Sequence, residues 1–311
     1  MIEYNAHMTN LKSYSSTTFA TQLWATLLVA LSGILYGFMG CLGTQIINTH
    51  MSISNMLFWR FLVAAIWIGG FSLIKPSELS LKSIDKRLFL KIFLLGAIFY
   101  SGGSAFYFLA CQYTGTGLAM VIFFSYPIFI ALFAIFIHKW KIDKYALFSL
   151  IGIVLGLLLI KGQGGNSVNM VGIVFAIISA LSYAVYVFSS KKTTSSLPST
   201  LVTLIVCLGC SFLFFLASIF TKSISIPQTQ TAWFYILVLG IFATAVPIQL
   251  LLEGLRYLSP LKTSILSVLE PVVTLIVGAI LLDESVSILQ SIGIIIVLMS
   301  AILIQFERRA S

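Results

Sequence analysis

A carboxylate stands directly before a proline in the otherwise apolar stretch SVLEPVVTL, residues 267–275. If this stretch is helical, hydroxyl side chains at intervals of three and four residues share the face of Glu270. Such a face is a candidate wall of a polar cavity, in which the carboxylate carries a proton or pairs with a cationic group of a ligand. The alternative is a structural acid bonded to a neighbouring helix, and both interpretations stay open. The hydroxyl residues are Thr263, Ser267 and Thr274.

Polar-tipped side chains inside apolar runs are the next candidates for the lining of such a cavity. Aromatic rings are also common fillers of a helical core, so each tyrosine has packing as its alternative role. Tyr36 and Tyr183 rank first because they occupy matching positions in an internal repeat, which is described below. The other candidates are Tyr100, Tyr107, Tyr126, Tyr186 and Gln249.

Arg60 is the one basic residue inside an apolar run. It lies about six residues from the predicted outer end of that run, so its long side chain can reach the membrane interface. We favour this anchoring role over the alternative, in which the guanidinium binds a carboxylate of the substrate.

Three prolines inside apolar runs predict bends in helices. A proline within a helix removes a backbone donor and clashes with the carbonyl four residues earlier. Pro127 and Pro271 occupy matching positions in the repeat, which favours a shared mechanical or site role over packing strain. Pro247 is a third predicted break.

The composition is that of a membrane protein. Of 311 residues, 59% are hydrophobic and only 9% are charged, against roughly 45–50% apolar residues in an average soluble domain. Because a helix needs about 20 mainly apolar residues to cross the hydrocarbon core, the chain divides into ten predicted spans. These lie at 21–43, 54–74, 89–111, 116–137, 145–160, 170–189, 200–220, 232–252, 260–282 and 286–305.

The basic residues of the connecting segments predict an orientation. When the segments are counted alternately from the N-terminus, one side receives fifteen basic residues and the other receives only Lys161 and Lys222. The positive-inside rule therefore places both termini in the cytoplasm. The same asymmetry accounts for the net charge of +9, so a nucleic-acid partner is not expected. The fifteen are Lys12, Lys75, Lys82, Lys86, Arg87, Lys91, Lys139, Lys141, Lys144, Lys191, Lys192, Arg256, Lys262, Arg308 and Arg309.

The chain repeats itself: LSGILYG (31–37) aligns with ISALSYA (178–184), and SYPIF (125–129) aligns with LEPVV (269–273). Because each copy holds an odd number of spans, the second copy enters the membrane from the opposite side, as in the inverted repeats of secondary transporters. We therefore predict an all-α integral membrane protein of ten helices in two inverted five-helix repeats. Its predicted parts are a cytoplasmic tail at 1–20, a first repeat at 21–160, an external connector at 161–169, a second repeat at 170–306 and a cytoplasmic tail at 307–311.

The sequence motifs argue against an enzyme, a metal site and a resident cofactor. The sequence has no metalloprotease helix motif, serine-hydrolase elbow or phosphate-binding loop, and its three histidines lie at or outside the ends of predicted spans. The spans also lack the repeated filter segment or ring of charges that is typical of a channel. The cysteines lie within apolar runs and are expected to be packing residues. They are Cys41, Cys111, Cys207 and Cys210.

Over nearly all of residues 21–306, the sequence resembles the drug/metabolite transporter superfamily, in particular its EamA type. The pieces that carry the resemblance include SGILYG, FWRF, SYPIFIALFAIF, SALSYAVYVFSSKK and SVLEPVV, in the same order in both halves. The resemblance implies an inner-membrane carrier whose central cavity is formed by helices one, three, four, six, eight and nine. One departure is IHKW (137–140), because the family often has an acidic residue at this end of helix four.

We therefore expect a carrier that exports small metabolites, such as amino acids, across the bacterial inner membrane. Protons or the substrate gradient alone would drive it, and its partners would be the lipid bilayer and the small-molecule substrate. Uptake of a scavenged metabolite stays open as an alternative, as does a structural or signalling membrane protein that transports nothing. A homodimer also stays open.

Overall fold

Every regular element in the described part of the chain is a helix. A computed structural model describes residues 19–47, 49, 51–74, 84–139, 141–160, 169–281 and 287–307. For these residues the prediction of an all-α fold is confirmed. Most of the two predicted tails and of the predicted connector lies outside them. The basic residues that fall outside are Lys12, Lys75, Lys82, Lys161, Arg308 and Arg309.

The first half of the chain forms helices α1 to α5, three of which are divided. Helix α1 is interrupted at Gly37–Phe38 and α4 at Phe124–Ser125, and a π-helical segment lies within α3. The segments are α1a Phe19–Tyr36, α1b Met39–Ile47, α2 Ile53–Ile74, α3a Lys86–Leu94, π Leu95–Tyr100, α3b Ser101–Thr114, α4a Thr116–Phe123, α4b Tyr126–His138 and α5 Lys144–Ile160.

The second half forms helices α6 to α10, two of which are divided. Helix α8 contains the second π-helical segment, and α9 is interrupted at Val268. The segments are α6 Met170–Thr194, α7 Ser199–Phe220, α8a Gln230–Gly240, π Ile241–Ala245, α8b Val246–Tyr257, α9a Pro260–Ser267, α9b Leu269–Leu281 and α10 Ile288–Leu303, followed by a 3-10 turn at Ile304–Phe306.

Nine of the helices in the described ranges are long and apolar enough to cross a membrane. The remaining apolar helix, α5, has 17 residues, close to the roughly 17–25 residues that a span needs. A bilayer environment also accounts for the outward faces of the helices, which carry large exposed apolar side chains. Examples are Trp24, Ile66, Phe136, Phe148, Phe220, Phe234 and Ile295.

The interruptions recur at matching places in the two halves. Phe124 in α4 has φ and ψ of −72° and 6°, and Val268, which follows it by 144 residues, has −70° and 1°. The π-helical segments also correspond, since one lies within the third helix of the first half and the other within the third helix of the second half. Segments of π-helix inside α-helices are often found at functional sites.

The helix contacts follow the same correspondence. Helix α2 packs against α7, α5 against α10 and α4b against α9a, and each of these pairs joins equivalent helices of the two halves. Helix α1a packs against α8b, and α3b packs against α6. Exchanging the halves converts the last two pairs into each other, so the helix contacts of the two halves correspond.

Candidate functional site

A small cavity lies where the two halves meet. Its lining comes from α1, α2, α3, α4, α6 and α9. The family resemblance implied a contribution from helix eight, but α2 contributes instead. Its free volume is about 40 Å³, which holds a few water molecules, so side chains or helices must move apart to admit a metabolite. The lining residues are Tyr36, Met39, Arg60, Tyr100, Gly103, Ser104, Tyr107, Phe108, Phe123, Phe124, Tyr183 and Glu270.

Glu270 brings a carboxylate to this cavity. It lies in the first turn of α9b, directly after the interruption at Val268, and its side chain is partly buried. The interruption also explains why a proline is tolerated here. Backbone N–H groups in the first turn of a helical segment have no acceptor within that helix, so the N–H that proline lacks is not missed. Pro271 is therefore accommodated in the first turn of α9b, and Glu270 enters the cavity beside it.

The predicted hydroxyl face around Glu270 is wrong. A continuous helix would align the four residues, but the interruption at Val268 separates Thr263 and Ser267 from Glu270. Thr263 is fully buried, and Ser267 donates to its carbonyl oxygen at 3.0 Å. The single hydroxyl hydrogen of Thr274 is shared between the carbonyl oxygens of Gly37 and Glu270, both 3.0 Å from Oγ1. Of the four, Glu270 alone is among the lining residues of the cavity that the structure describes.

Of the six candidate tyrosines, Tyr36, Tyr100, Tyr107 and Tyr183 line the cavity, whereas Tyr126 and Tyr186 are not among its lining residues. The hydroxyls of Tyr36 and Tyr100 share a hydrogen bond of 2.9 Å. Tyr126 lies behind this layer, where its ring packs edge-on against that of the lining residue Tyr183 with 4.9 Å between centroids. Its hydroxyl donates to the carbonyl oxygen of Ser264 at 3.2 Å.

The prediction that Arg60 reaches the membrane interface is wrong. The side chain is 1% exposed and lines the cavity, and its guanidinium carbon lies 5.1 Å from the centroid of the Phe61 ring. Its Nε donates to Thr244 Oγ1 at 2.6 Å. The depth of a residue along a helix, from which the interface role was predicted, carries no information about which face of that helix points inward.

The prediction that Gln249 lines the central cavity is also wrong. Its side chain lies in a separate groove between α1a, α2, α7 and α8b, with Trp24 and Trp67 on its walls and a volume of about 650 Å³. There Gln249 Nε2 donates to Thr200 Oγ1 at 2.9 Å. An amide in an apolar run is satisfied equally well by a hydroxyl on a neighbouring helix as by a ligand.

The three predicted kink prolines all lie near the start of a helical segment. Pro127 is the second residue of α4b and follows the interruption at Phe124–Ser125. Pro247 is the second residue of α8b and follows the π-helical segment. With Pro271 in the first turn of α9b, each proline thus stands where its missing N–H is tolerated.

Several lining residues were not predicted from the sequence as site residues. Ser104 and Gly103 belong to the motif SGGSAF, for which helix packing is the simpler interpretation. A Cβ atom at Gly103 would lie 3.3 Å from Cβ of Tyr183, so the glycine allows α6 to bring Tyr183 close to α3. Phe123 and Phe124 follow from the interruption of α4, for which the sequence offers the nearby proline as its only signal. Within the described ranges, no group of three or more His, Cys, Asp or Glu residues could hold a metal ion.

The fold and the site together define a class: a helical membrane protein that encloses a largely aromatic cavity with two charged side chains between two corresponding halves. The chain belongs to the EamA-like transporter family, whose sequence pattern matches residues 23–162 and 170–306. The protein is therefore a multi-pass membrane transporter of small molecules.

Relatives of the chain are also described as transporters. It is 24% identical over 279 residues to the uncharacterized transporter YxxF of Bacillus subtilis (strain 168), which covers 88% of this chain and 86% of the relative. It is 26% identical over 202 residues to an uncharacterized transporter of Clostridium kluyveri, which covers 62% of this chain and 65% of the relative. A crystal structure of another protein has the same fold, with a TM-score of 0.76 at 17% identity over 90% of this chain and 95% of the other.

Proposed function

We propose that this transporter is a secondary carrier that exports amino acids or related small metabolites across the bacterial inner membrane by alternating access. The observation that carries the proposal is the cavity between the two halves, which brings a carboxylate and a guanidinium together with tyrosine hydroxyls. A site of this kind suits a small substrate with both polar and apolar parts. Transport is coupled to protons or follows the substrate gradient.

The proposed topology has ten membrane spans, in two inverted five-helix repeats at 21–160 and 170–306. In this topology both termini lie in the cytoplasm. The uneven distribution of lysine and arginine supports the orientation. The exchangeable helix pairs and the matching interruptions of α4 and α9 support the repeats. We count α5 as a span because its 17 residues can cross the hydrocarbon core with little mismatch.

Alternating access in this proposal uses the divided helices. The cavity has too little free volume for a metabolite, so substrate binding requires the halves to separate on one side. The interruptions at Phe124 and Val268 lie next to cavity residues and are the places where the backbone can bend without losing a full turn of hydrogen bonds. Direction follows the gradients, so the same carrier takes up its substrate when the gradients are reversed.

Glu270 is the proposed coupling residue. An ionisable group in a membrane helix is costly unless it faces a cavity or a partner, and Glu270 faces the cavity. In the described ranges it forms no ion pair within 4.0 Å. A carboxylate so placed is available to a proton in one conformation and to a cationic group of the substrate in the other.

The test is counterflow with purified protein in liposomes. A panel of labelled amino acids, amines and carboxylates is offered with and without a pH gradient, because accelerated exchange by unlabelled substrate on the far side distinguishes a carrier from a channel. We expect counterflow of at least one amino acid. Glu270→Gln should then lower its rate by about 10- to 150-fold and remove any acceleration by the pH gradient.

Glu253→Gln is the matched control. Glu253 lies in the separate groove, where its Oε2 is 3.9 Å from Arg256 Nη1, and its loss should leave transport unchanged. If no member of the panel shows counterflow, the proposed substrate class is wrong. If Glu270→Gln keeps both the rate and the response to the pH gradient, the coupling role is wrong while the carrier function stands.

A further inference from the structure

Arg60 is a buried cation, and the described residues leave one of its guanidinium nitrogens without a hydrogen-bond partner. Its Nε donates to Thr244 Oγ1 at 2.6 Å, and its Nη2 lies 3.5 Å from the carbonyl oxygen of Ala243. Among the described residues its Nη1 has no hydrogen-bond partner, although the side chain is 99% buried and lines the cavity. A guanidinium has five N–H donors, so most of its hydrogen-bonding capacity on the Nη1 side is unused.

Arg60 also forms no direct ion pair among the described residues. No carboxylate there lies within the 4.0 Å that defines an ion pair with Arg60, and Glu270 lines the same cavity without reaching it. Burying an unpaired charge is costly, and charged groups in membrane helices are normally paired. The nearby face of the Phe61 ring offers only a weak cation–π attraction. Glu270 thus offsets the charge of Arg60 only across the cavity, and a counter-ion in direct contact with the guanidinium is missing from the described part of the protein.

The π-helical segment of α8 holds Arg60 in place. Thr244 in this segment donates its hydroxyl hydrogen to the carbonyl oxygen of Leu239 at 2.8 Å, which leaves its oxygen free to accept from Arg60 Nε. Gly240 permits the close approach of α2, because a Cβ atom there would lie 3.0 Å from the carbonyl oxygen of Arg60. The backbone of α8 thus orients one edge of the guanidinium and leaves another edge for a ligand.

We infer that Arg60 binds the carboxylate of a zwitterionic substrate, whose ammonium group faces Glu270 across the same cavity. The inference rests on the proposed function of the cavity as the substrate site. A planar guanidinium with free N–H groups matches a carboxylate, with which it forms paired hydrogen bonds. The two charged lining residues cancel, so a substrate with one positive and one negative group is favoured over a simple amine, a simple acid or a phosphate with two negative charges.

The experiment compares substrates that differ by one charged group. Leucine, glutamine and phenylalanine are each tested in counterflow beside the amine that lacks the carboxylate and the acid that lacks the ammonium group. The wild-type protein in liposomes should favour at least one of the amino acids over both of its analogues. Binding of the same compounds is measured separately, through the rise in thermal stability of the purified protein in detergent.

Arg60→Met should lower transport and binding of that amino acid by about 10- to 150-fold, because it removes a charge-assisted hydrogen bond. The same variant should leave the amine without a carboxylate unaffected, so the preference for the amino acid disappears. Arg60→Lys keeps the charge but not the planar pair of donors, and it should fall in between. Arg256→Met, which removes an arginine from the separate groove, should change neither preference nor rate.

The outcomes separate this inference from the function on which it rests. If the wild-type protein transports none of the nine compounds, the proposed substrate class fails and the inference fails with it. If an amino acid is transported but Arg60→Met weakens it and its amine analogue equally, the carrier stands and the role of Arg60 is overturned. If Arg60→Met yields no monodisperse protein, Arg60→Lys decides in the same way, since only a carboxylate-binding arginine gives a selective loss.

Discussion

Ser32 and Ser179 make the same hydrogen bond in the two halves of the protein. Ser32 in α1a donates to the carbonyl oxygen of Pro247 in α8b at 2.8 Å, and Ser179 in α6 donates to that of Gly103 in α3b at 2.5 Å. The donors are 147 residues apart and the acceptors 144 residues apart. Both serines are fully buried. One polar contact therefore joins α1a to α8b, and the equivalent contact joins α6 to α3b.

We predict that Ser32→Ala and Ser179→Ala each lower the free energy of unfolding by about 0.6–1 kcal/mol. The double variant should lose close to the sum, because the two bonds lie in separate helix pairs. Reversible unfolding in mixed micelles measures these values. Ser291→Ala, which removes an exposed hydroxyl bonded within its own helix, should have little effect. A loss confined to one of the two serines would contradict their equivalence.

We predict that Gly156→Ala destabilises the contact between α5 and α10. A Cβ atom at Gly156 would lie 2.9 Å from the carbonyl oxygen of Gly293, and backbone at this distance cannot rotate away. Overpacking of this kind costs about 1–3 kcal/mol, which the same unfolding experiment detects. Gly70→Ala is the control, because nothing lies within 4 Å of the added carbon, and it should be neutral or slightly stabilising. Equal effects of the two substitutions would contradict the close packing.

We predict that Lys191→Met destabilises the protein by about 2–3 kcal/mol, whereas Lys192→Met has little effect. The Nζ group of Lys191 has three N–H donors, and all three reach carbonyl oxygens at the end of α8b, where the negative end of the helix dipole also favours a cation. Lys192 is exposed, so it is a matched control of the same charge. Thermal unfolding in detergent is the measurement, and a larger loss for Lys192 would contradict it. The acceptors are Leu255, Arg256 and Leu258, at 2.8, 2.9 and 2.9 Å.

We predict that Glu307→Gln stabilises the protein near pH 7 but not near pH 4. Burial raises the pKa of the Glu307 carboxyl, although Lys262 and a hydrogen bond from Ser259 lower it and Asp143 adds to the rise. Because the folded state then holds the proton more tightly than the unfolded chain, the free energy of unfolding falls as the pH rises from about 4.3 through the higher folded-state pKa. Thermal unfolding between pH 4 and 8 should show this fall in the wild type and a smaller one in the variant. A constant difference at all pH values would exclude this cause.

Hydropathy alone located the helices well wherever they end at a polar connector. The span predicted at 200–220 is α7 Ser199–Phe220. The prediction failed where polar residues continue a helix: the span at 170–189 extends in the structure to Thr194. There Thr193 and Thr194 donate to the carbonyl oxygen of Ser190, and Lys191 caps α8b. Hydroxyls that bond to the backbone of their own helix cost little free energy in a membrane. A hydropathy scale nevertheless scores these residues as polar and therefore ends the predicted span before them.

The site was harder to predict than the fold, because it depends on which faces of the helices point inward. The sequence did identify several lining residues of the cavity. Glu270 stood out as a carboxylate inside an apolar run, Tyr36 and Tyr183 as matching positions of the repeat, and Tyr100 and Tyr107 as polar-tipped side chains within spans. The hydroxyl face failed because Pro271 predicts a bend but does not specify that the helix is interrupted at Val268, between Ser267 and Glu270. An interruption of one residue rotates every later side chain relative to the earlier ones, and periodicity arguments assume that no such rotation occurs.

The hydrogen bonds of Thr274 tie two divided helices into one mechanical unit. Its hydroxyl lies 3.0 Å from the carbonyl oxygen of Gly37, where α1 is interrupted, and 3.0 Å from that of Glu270, where α9b begins. In the proposed transport cycle, a tilt of α9b would therefore move Glu270 and bend α1 at Gly37 together. The protonation of one acid and the bend of a neighbouring helix would then be coupled through the hydroxyl of a threonine that is not among the cavity-lining residues.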